Sequence, residues 1–107
     1  MTEQVSAAVQ RLLDAANDGD IDAFLAGFTT GGVVDDWGRD FRGADRIRAW
    51  SDAEFIGKQV ALDVGAVQRR GGETVVTAQV GGNGFNGPSH FAFLVDGDLV
   101  SRMTIRA

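Results

Sequence analysis

The sequence predicts an α+β domain, with helices covering one face of a curved antiparallel sheet and an apolar pocket between the two layers. Two observations carry this. Apolar residues recur at helical spacing in Val5–Ala16 and Ala44–Phe55, and from Gln59 onward the period changes to two. A third is the Asp96-Gly97 pair between apolar runs, which accepts the positive φ angles of a type I′ hairpin.

Val5, Ala8, Val9, Leu12, Leu13 and Ala16 fall on one helical face, with Gln10, Arg11 and Asp14 on the other. Asn17-Asp18-Gly19 ends this helix, because glycine tolerates the left-handed conformation after a C-terminus, and Asp20 is placed to cap a second short helix through Phe24 and Leu25. Gly31 and Gly32 break the pattern before a short strand, Val33–Trp37, and Gly38 turns the chain into Arg39–Arg42 as a small hairpin. The segment Ala44–Phe55 is a third amphipathic helix, with Ile47, Trp50 and Ser51 on its inner side and Asp45 in the first turn, where the helix dipole favours a carboxylate.

Val60, Leu62 and Val64 then alternate with Ala61, Asp63 and Gly65 up to a Gly71-Gly72 turn. Thr74–Val80 is the return strand, a glycine-rich loop surrounds the lone Phe85, and Ser89–Val95 resumes strand character. In the last strand Leu99, Met103 and Ile105 line one face, and Arg102 shares its parity with Val100 and Thr104 on the outer one.

At 107 residues and 44% apolar content, the chain is sized for a single domain, 1–107, with a core that needs neither disulfide nor metal. Cysteine is absent, which excludes thiol catalysis and zinc held by thiolates. A net charge of -5 repels phosphate backbones and anionic membrane surfaces, so neither nucleic acid nor a membrane is an expected partner. No stretch approaches the roughly 20 apolar residues of a membrane span, and a cytoplasmic location is the default expectation.

Asp18-Gly19-Asp20 between two helices, Val34-Asp35-Asp36 in a first strand, Phe41-Arg42-Gly43-Ala44 opening a third helix and Val95-Asp96-Gly97-Asp98 in the last hairpin together resemble the nuclear transport factor 2-like superfamily. The likeness spans nearly the whole chain and is closest to the SnoaL-like and ketosteroid isomerase-like branch. It implies a cone-shaped α+β barrel, with the N-terminal helices on the concave face of the sheet, an internal cavity and commonly a dimer. It also implies a strand carboxylate as general base, and counting back from Gly43 across a shortened hairpin aligns Asp36 with that role.

Asp35 and Asp36 are adjacent, so strand alternation turns only one of them inward; Val34 shares a face with Asp36, and Val33 and Trp37 share the other with Asp35. A carboxylate facing an apolar pocket loses hydration, and its pKa rises toward the range of a proton shuttle. Asp36, with Asp35 beside it, is therefore the catalytic candidate, against the plainer reading of a solvated strand end in an acidic protein. Trp37, Trp50, Phe91, Phe93 and Met103 are the candidate pocket lining, although tryptophan at such spacings is more often core. His90, the only histidine, and Asn83 in the loop are possible polar partners, with His90 falling outward by alternation from Phe91 and Phe93.

The chain has no tyrosine, and Phe91 stands where the resemblance places a second oxyanion acid, so steroid isomerase chemistry is not expected. One histidine and no acidic cluster of loop spacing give no metal site and no cofactor. Glycines 81, 82, 84 and 87 lack the ending of a phosphate loop and read as a flexible lip. Three functions remain: a pocket for a small hydrophobic or polyketide-like molecule, an isomerase, cyclase or hydratase using Asp36 with Trp or Asn donors, and an interaction module. The apolar residues on both parities of Ser89–Val95 add the expectation of a homodimer through the outer sheet face.

Overall fold

The computed structural model of the protein describes residues 5–107. Three helices, α1 (Ala7–Asp18), α2 (Ile21–Ala26) and α3 (Ala44–Glu54), pack on one face of a six-stranded sheet. The strands are β1 (Phe28–Asp36), β2 (Arg39–Arg42), β3 (Ala61–Arg70), β4 (Glu73–Gly81), β5 (Gly87–Asp96) and β6 (Leu99–Arg106). No helix among the described residues is long and apolar enough to cross a membrane.

The predicted caps are present. Gly19 takes φ 70 and its N–H donates to the last carbonyls of α1, and the Asp20 carboxylate accepts from the Ala23 N–H at the start of α2. The apolar face of α1, with Val9, Leu12, Leu13 and Ala16 all buried, lies against the sheet. Asn17 fixes that docking: its amide accepts from Leu62 N at 2.7 Å and donates to Leu62 O at 3.1 Å, joining the end of α1 to β3.

The sheet runs β2-β1-β6-β5-β4-β3, is curved, and leaves β2 and β3 as open edges, so the barrel implied by the resemblance does not close. The expected antiparallel sheet carries one parallel seam, β1 against β6. The reason is topological: β2 takes one side of β1, α3 carries the chain to the far edge, and the meander β3-β4-β5-β6 returns to the other side of β1.

Four local irregularities depart from simple alternation. The first is at Gly65, an extra residue in β3 where the register on β4 shifts between Val64 and Ala66, and Val64 is exposed while Leu62 and Val67 are buried. The Gly31-Gly32 stretch is a bulge inside β1 instead of a break before it, since β1 already begins at Phe28 and its register on β6 shifts between Phe28 and Val33. Ser101 is an extra residue in β6, with Leu94 facing Arg102 and Val95 facing Val100. The bulge reverses the parity, so Val100 is fully buried and does not share the outer face with Arg102 and Thr104. Trp37 lies outside the strand. With φ 56 it forms, with Gly38 at φ 90, the two-residue turn between β1 and β2.

Candidate functional site

The β1–β2 hairpin and α3 meet at one end of the sheet, and the side chains there build a small charged constellation. Alternation in β1 sends Asp36 toward the helices, where the Trp50 indole N–H donates to Oδ2 at 3.1 Å. The turn sets Arg39 directly opposite Asp36 in the hairpin register, and its guanidinium donates to the same Oδ2 at 2.6 Å. Arg39 also donates twice to Glu54, at the end of α3, at 2.8 and 3.0 Å in the bidentate geometry that suits guanidinium and carboxylate. These bonds hold the Glu54 carboxyl below the usual carboxylate range. The guanidinium also lies 5.5 Å from the Phe41 ring centroid. Among the described residues nothing donates to Asp36 Oδ1.

Beside this constellation lies a cavity of about 350 Å³, open to solvent on one side. Its apolar wall is made by Trp50, Phe55, Val60, Val80, Phe91 and Ile105, with Ser89 the polar residue set among them. Phe55 stacks on Trp50 at 4.9 Å and approaches Phe91 at 6.5 Å, which fixes the aromatic wall in place. The lining also includes Asp36, Trp37, Arg39, Glu54, Lys58, Gly84 and Phe85, with Gly84 close to Lys58 and the Glu54 carbonyl.

Of the predicted lining, Trp37, Trp50 and Phe91 are found at the cavity and Phe93 and Met103 are not. Phe93 and Met103 are opposed across β5 and β6 and are 1% and 2% exposed, filling the core under the helices. Asn83 does not line the cavity either; its N–H donates to Lys58 O and its amide to Gln59, tying the β4–β5 loop to the 3₁₀ turn Ile56–Lys58. Trp37 reaches the rim although alternation sets it on the face of Asp35, because its positive φ takes it out of the strand. For a bulky side chain that backbone region costs on the order of 1 kcal/mol.

Asp35 points to the opposite face. There Arg106 donates to it at 3.0 and 3.1 Å, Arg102 at 2.8 Å and the Gly38 N–H at 2.8 Å. The Arg106 hydrogen bonds, against the opposing effect of burial and with Gly38 and Arg102 assisting, bring its pKa down from 3.8 to about 2. Arg102 also reaches Asp40 at 3.2 Å, which offsets the Asp35–Asp40 pairing of like charges across the hairpin. His90 is exposed on this outer face, opposite Thr77 and Arg106.

The role of Arg39 has a signal in the sequence. A two-residue Trp37-Gly38 turn dictates that Asp36 and Arg39 face each other, and an opposite-charge pair in that register is favourable. Glu54, Phe55, Lys58 and Ser89 carry no comparable local mark, because they reach the cavity only through long-range packing.

The model of the SnoaL-like domain matches residues 9–106. No curated protein matches the chain by sequence. Among solved structures, a candidate polyketide cyclase from Sinorhizobium meliloti superposes with a TM-score of 0.86 at 23% identity, over 95% of each chain. A computationally designed 17-OHP binder superposes with a TM-score of 0.78 at 16% identity, over 94% of this chain and 87% of its own. The Orange Carotenoid Protein of Anabaena, in a structure binding canthaxanthin, gives a TM-score of 0.80 at 17% identity over 98% of this chain and 37% of its own. At these identities the three establish a common fold.

Proposed function

The chain belongs to the SnoaL-like domain family, and on that premise we propose that the cavity between α3 and the sheet binds a small, mostly apolar or polyketide-like molecule carrying one hydrogen-bonding group. The observation that carries this reading is the cavity itself: about 350 Å³, walled by Trp50, Phe55 and Phe91, with polar groups concentrated around Asp36. Ligand sites have this composition, apolar surface for affinity and a few placed polar groups for orientation. A ligand hydroxyl or amine donating to Asp36 Oδ1 satisfies the acceptor that the protein leaves open. Binding of 17-OHP and canthaxanthin by two proteins of the same fold supports the reading. Titration with naphthol, followed by tryptophan emission, is expected to saturate in the wild type and to weaken about tenfold or more in Phe91→Trp, which fills the cavity. Equal affinity in a well-folded Phe91→Trp protein overturns the assignment.

A second reading, a proton-transfer enzyme of the isomerase or cyclase kind, is favoured by one feature. Trp50 and Arg39 fix Oδ2 of Asp36, so the carboxylate is oriented while Oδ1 stays available as a base. Asp35, engaged by Arg102 and Arg106 on the other face, has no part in that step. Exchange of the α-protons of β-tetralone into D2O, read by NMR, tests it. Catalysed exchange lost in Asp36→Asn with naphthol binding retained supports the enzyme, and exchange at the solvent rate in the wild type rejects it. The outer face, where Val75, Ala92 and Leu94 are half-buried, is the proposed homodimer surface, checked by sedimentation.

A further inference from the structure

We propose that Trp37 and Phe85 form an aromatic clamp at the cavity mouth, which stacks on the part of an extended planar ligand that the interior cannot enclose. The clamp rests on the binding role proposed for the cavity and specifies what that cavity prefers. Among the described residues four large apolar side chains stand exposed, and two of them, Trp37 at 59% and Phe85 at 58%, line this one opening. They come from unrelated segments, the β1–β2 turn and the β4–β5 loop, so their shared location does not follow from local sequence.

Each is held there by backbone that few residues adopt. Trp37 takes φ 56 in a turn position that suits asparagine or glycine, so the indole is presented at a conformational cost while most of its surface stays in water. The Phe85 ring rests over Gly87, at φ 148, where an added Cβ would come within 3.1 Å of the ring; the absence of a side chain makes room for it. Asn86 donates to Gly82 O and Gly84 O and braces the loop on either side of Phe85. Neither ring satisfies a packing need of the fold. Both offer a flat apolar surface to whatever extends from the cavity, and the occupant that uses two such surfaces is a planar conjugated molecule longer than a cavity of this volume.

Calorimetric titration of the full chain and of Trp37→Asn and Phe85→Ala, with naphthol as a compact probe and curcumin as an extended planar one, tests the clamp. Each substitution is expected to weaken curcumin about three- to tenfold and naphthol by less than about twofold. Trp37→Asn is expected to keep or raise the melting temperature, since asparagine accepts positive φ. Unchanged curcumin affinity in both variants overturns the clamp and leaves the cavity reading standing. Equal weakening of both probes with a lowered melting temperature also overturns it, since the rings then support the fold. Wild-type protein that binds neither probe removes the cavity reading and the clamp with it. Variants that change only the sedimentation coefficient show a contact between copies of the chain, which overturns the clamp as well.

Discussion

Replacing Asp35 by asparagine removes one charge and keeps the shape of the side chain, so it isolates the ion pairs that bind β1 to β6. The difference between the ordinary value of 3.8 and about 2, at about 1.4 kcal/mol for each tenfold, sets a ceiling of about 2.4 kcal/mol on what ionisation of Asp35 contributes to folding. The Arg102 and Arg106 side chains are 33% and 43% exposed, and solvent screening brings the expected loss to about 1–1.5 kcal/mol. For a domain of this size that is a fall in melting temperature of about 5–10 °C. The sign with pH follows from a carboxyl lowered on folding. The contribution is complete well above the unfolded value of 3.8 and is lost as pH falls from there toward about 2. Urea unfolding followed by tryptophan emission should therefore show Asp35→Asn less stable than wild type at pH 7, with the gap largely closed at about pH 2.5. Equal stability at pH 7, or a gap of the same size in acid, refutes the argument that these pairs are net favourable.

Arg39→Met breaks pairs in which the guanidinium is half exposed, so little change in the urea midpoint is expected. In the same variant the Glu54 carboxyl, no longer held down by Arg39, moves up toward its ordinary value, which carboxyl NMR titration reads directly. Trp50→Phe keeps an aromatic ring against Phe55 and deletes the N–H donor to Asp36; a loss of about 1–2 kcal/mol in chemical unfolding is expected. Gly57→Ala would drive its Cβ into the Asp52 carbonyl, whereas a Cβ on Gly72 meets nothing within 4 Å. Thermal unfolding should show the first variant destabilised by about 3 kcal/mol or more and the second within about 1 kcal/mol of wild type.

Much of the fold was readable because its signals are local. Gly19 and Asp20 as caps and Ile47 and Trp50 as the inner side of α3 each depend on a few neighbouring residues, and the structure places them as expected. The last hairpin is where Asp96-Gly97 predicts it, but its turn residues are Gly97 and Asp98, since Asp96 pairs with Leu99 and only Gly97, at φ 63, takes a positive φ, so the type I′ turn is not formed. Alternation sets Asp35 and Asp36 on opposite faces and His90 opposite Phe91 and Phe93, while the choice of Asp36 as the inward one comes from the resemblance. Alternation failed where an extra residue or a positive φ intervenes: the Ser101 bulge carries Val100 inward, and the turn conformation brings Trp37 to the cavity. The electrostatic surroundings of Asp36 were the larger gap. The sequence predicts a carboxylate facing apolar walls; the structure adds Arg39, set opposite it by the hairpin register, and Trp50, which reaches it only through the packing of α3. Phe93 and Met103 lie on the correct face of the sheet but in its closed core, where α1 packs on β5 and β6, and no pattern within a strand tells the covered part of that face from the hollow part.

A crystal structure of the protein soaked with naphthol addresses the hollow interior most directly. Ring-shaped density is expected between Trp50 and Phe91, with the ligand hydroxyl within hydrogen-bond reach of Asp36 Oδ1. Side chains closed over that space, or naphthol found only on the outer sheet face, would contradict it.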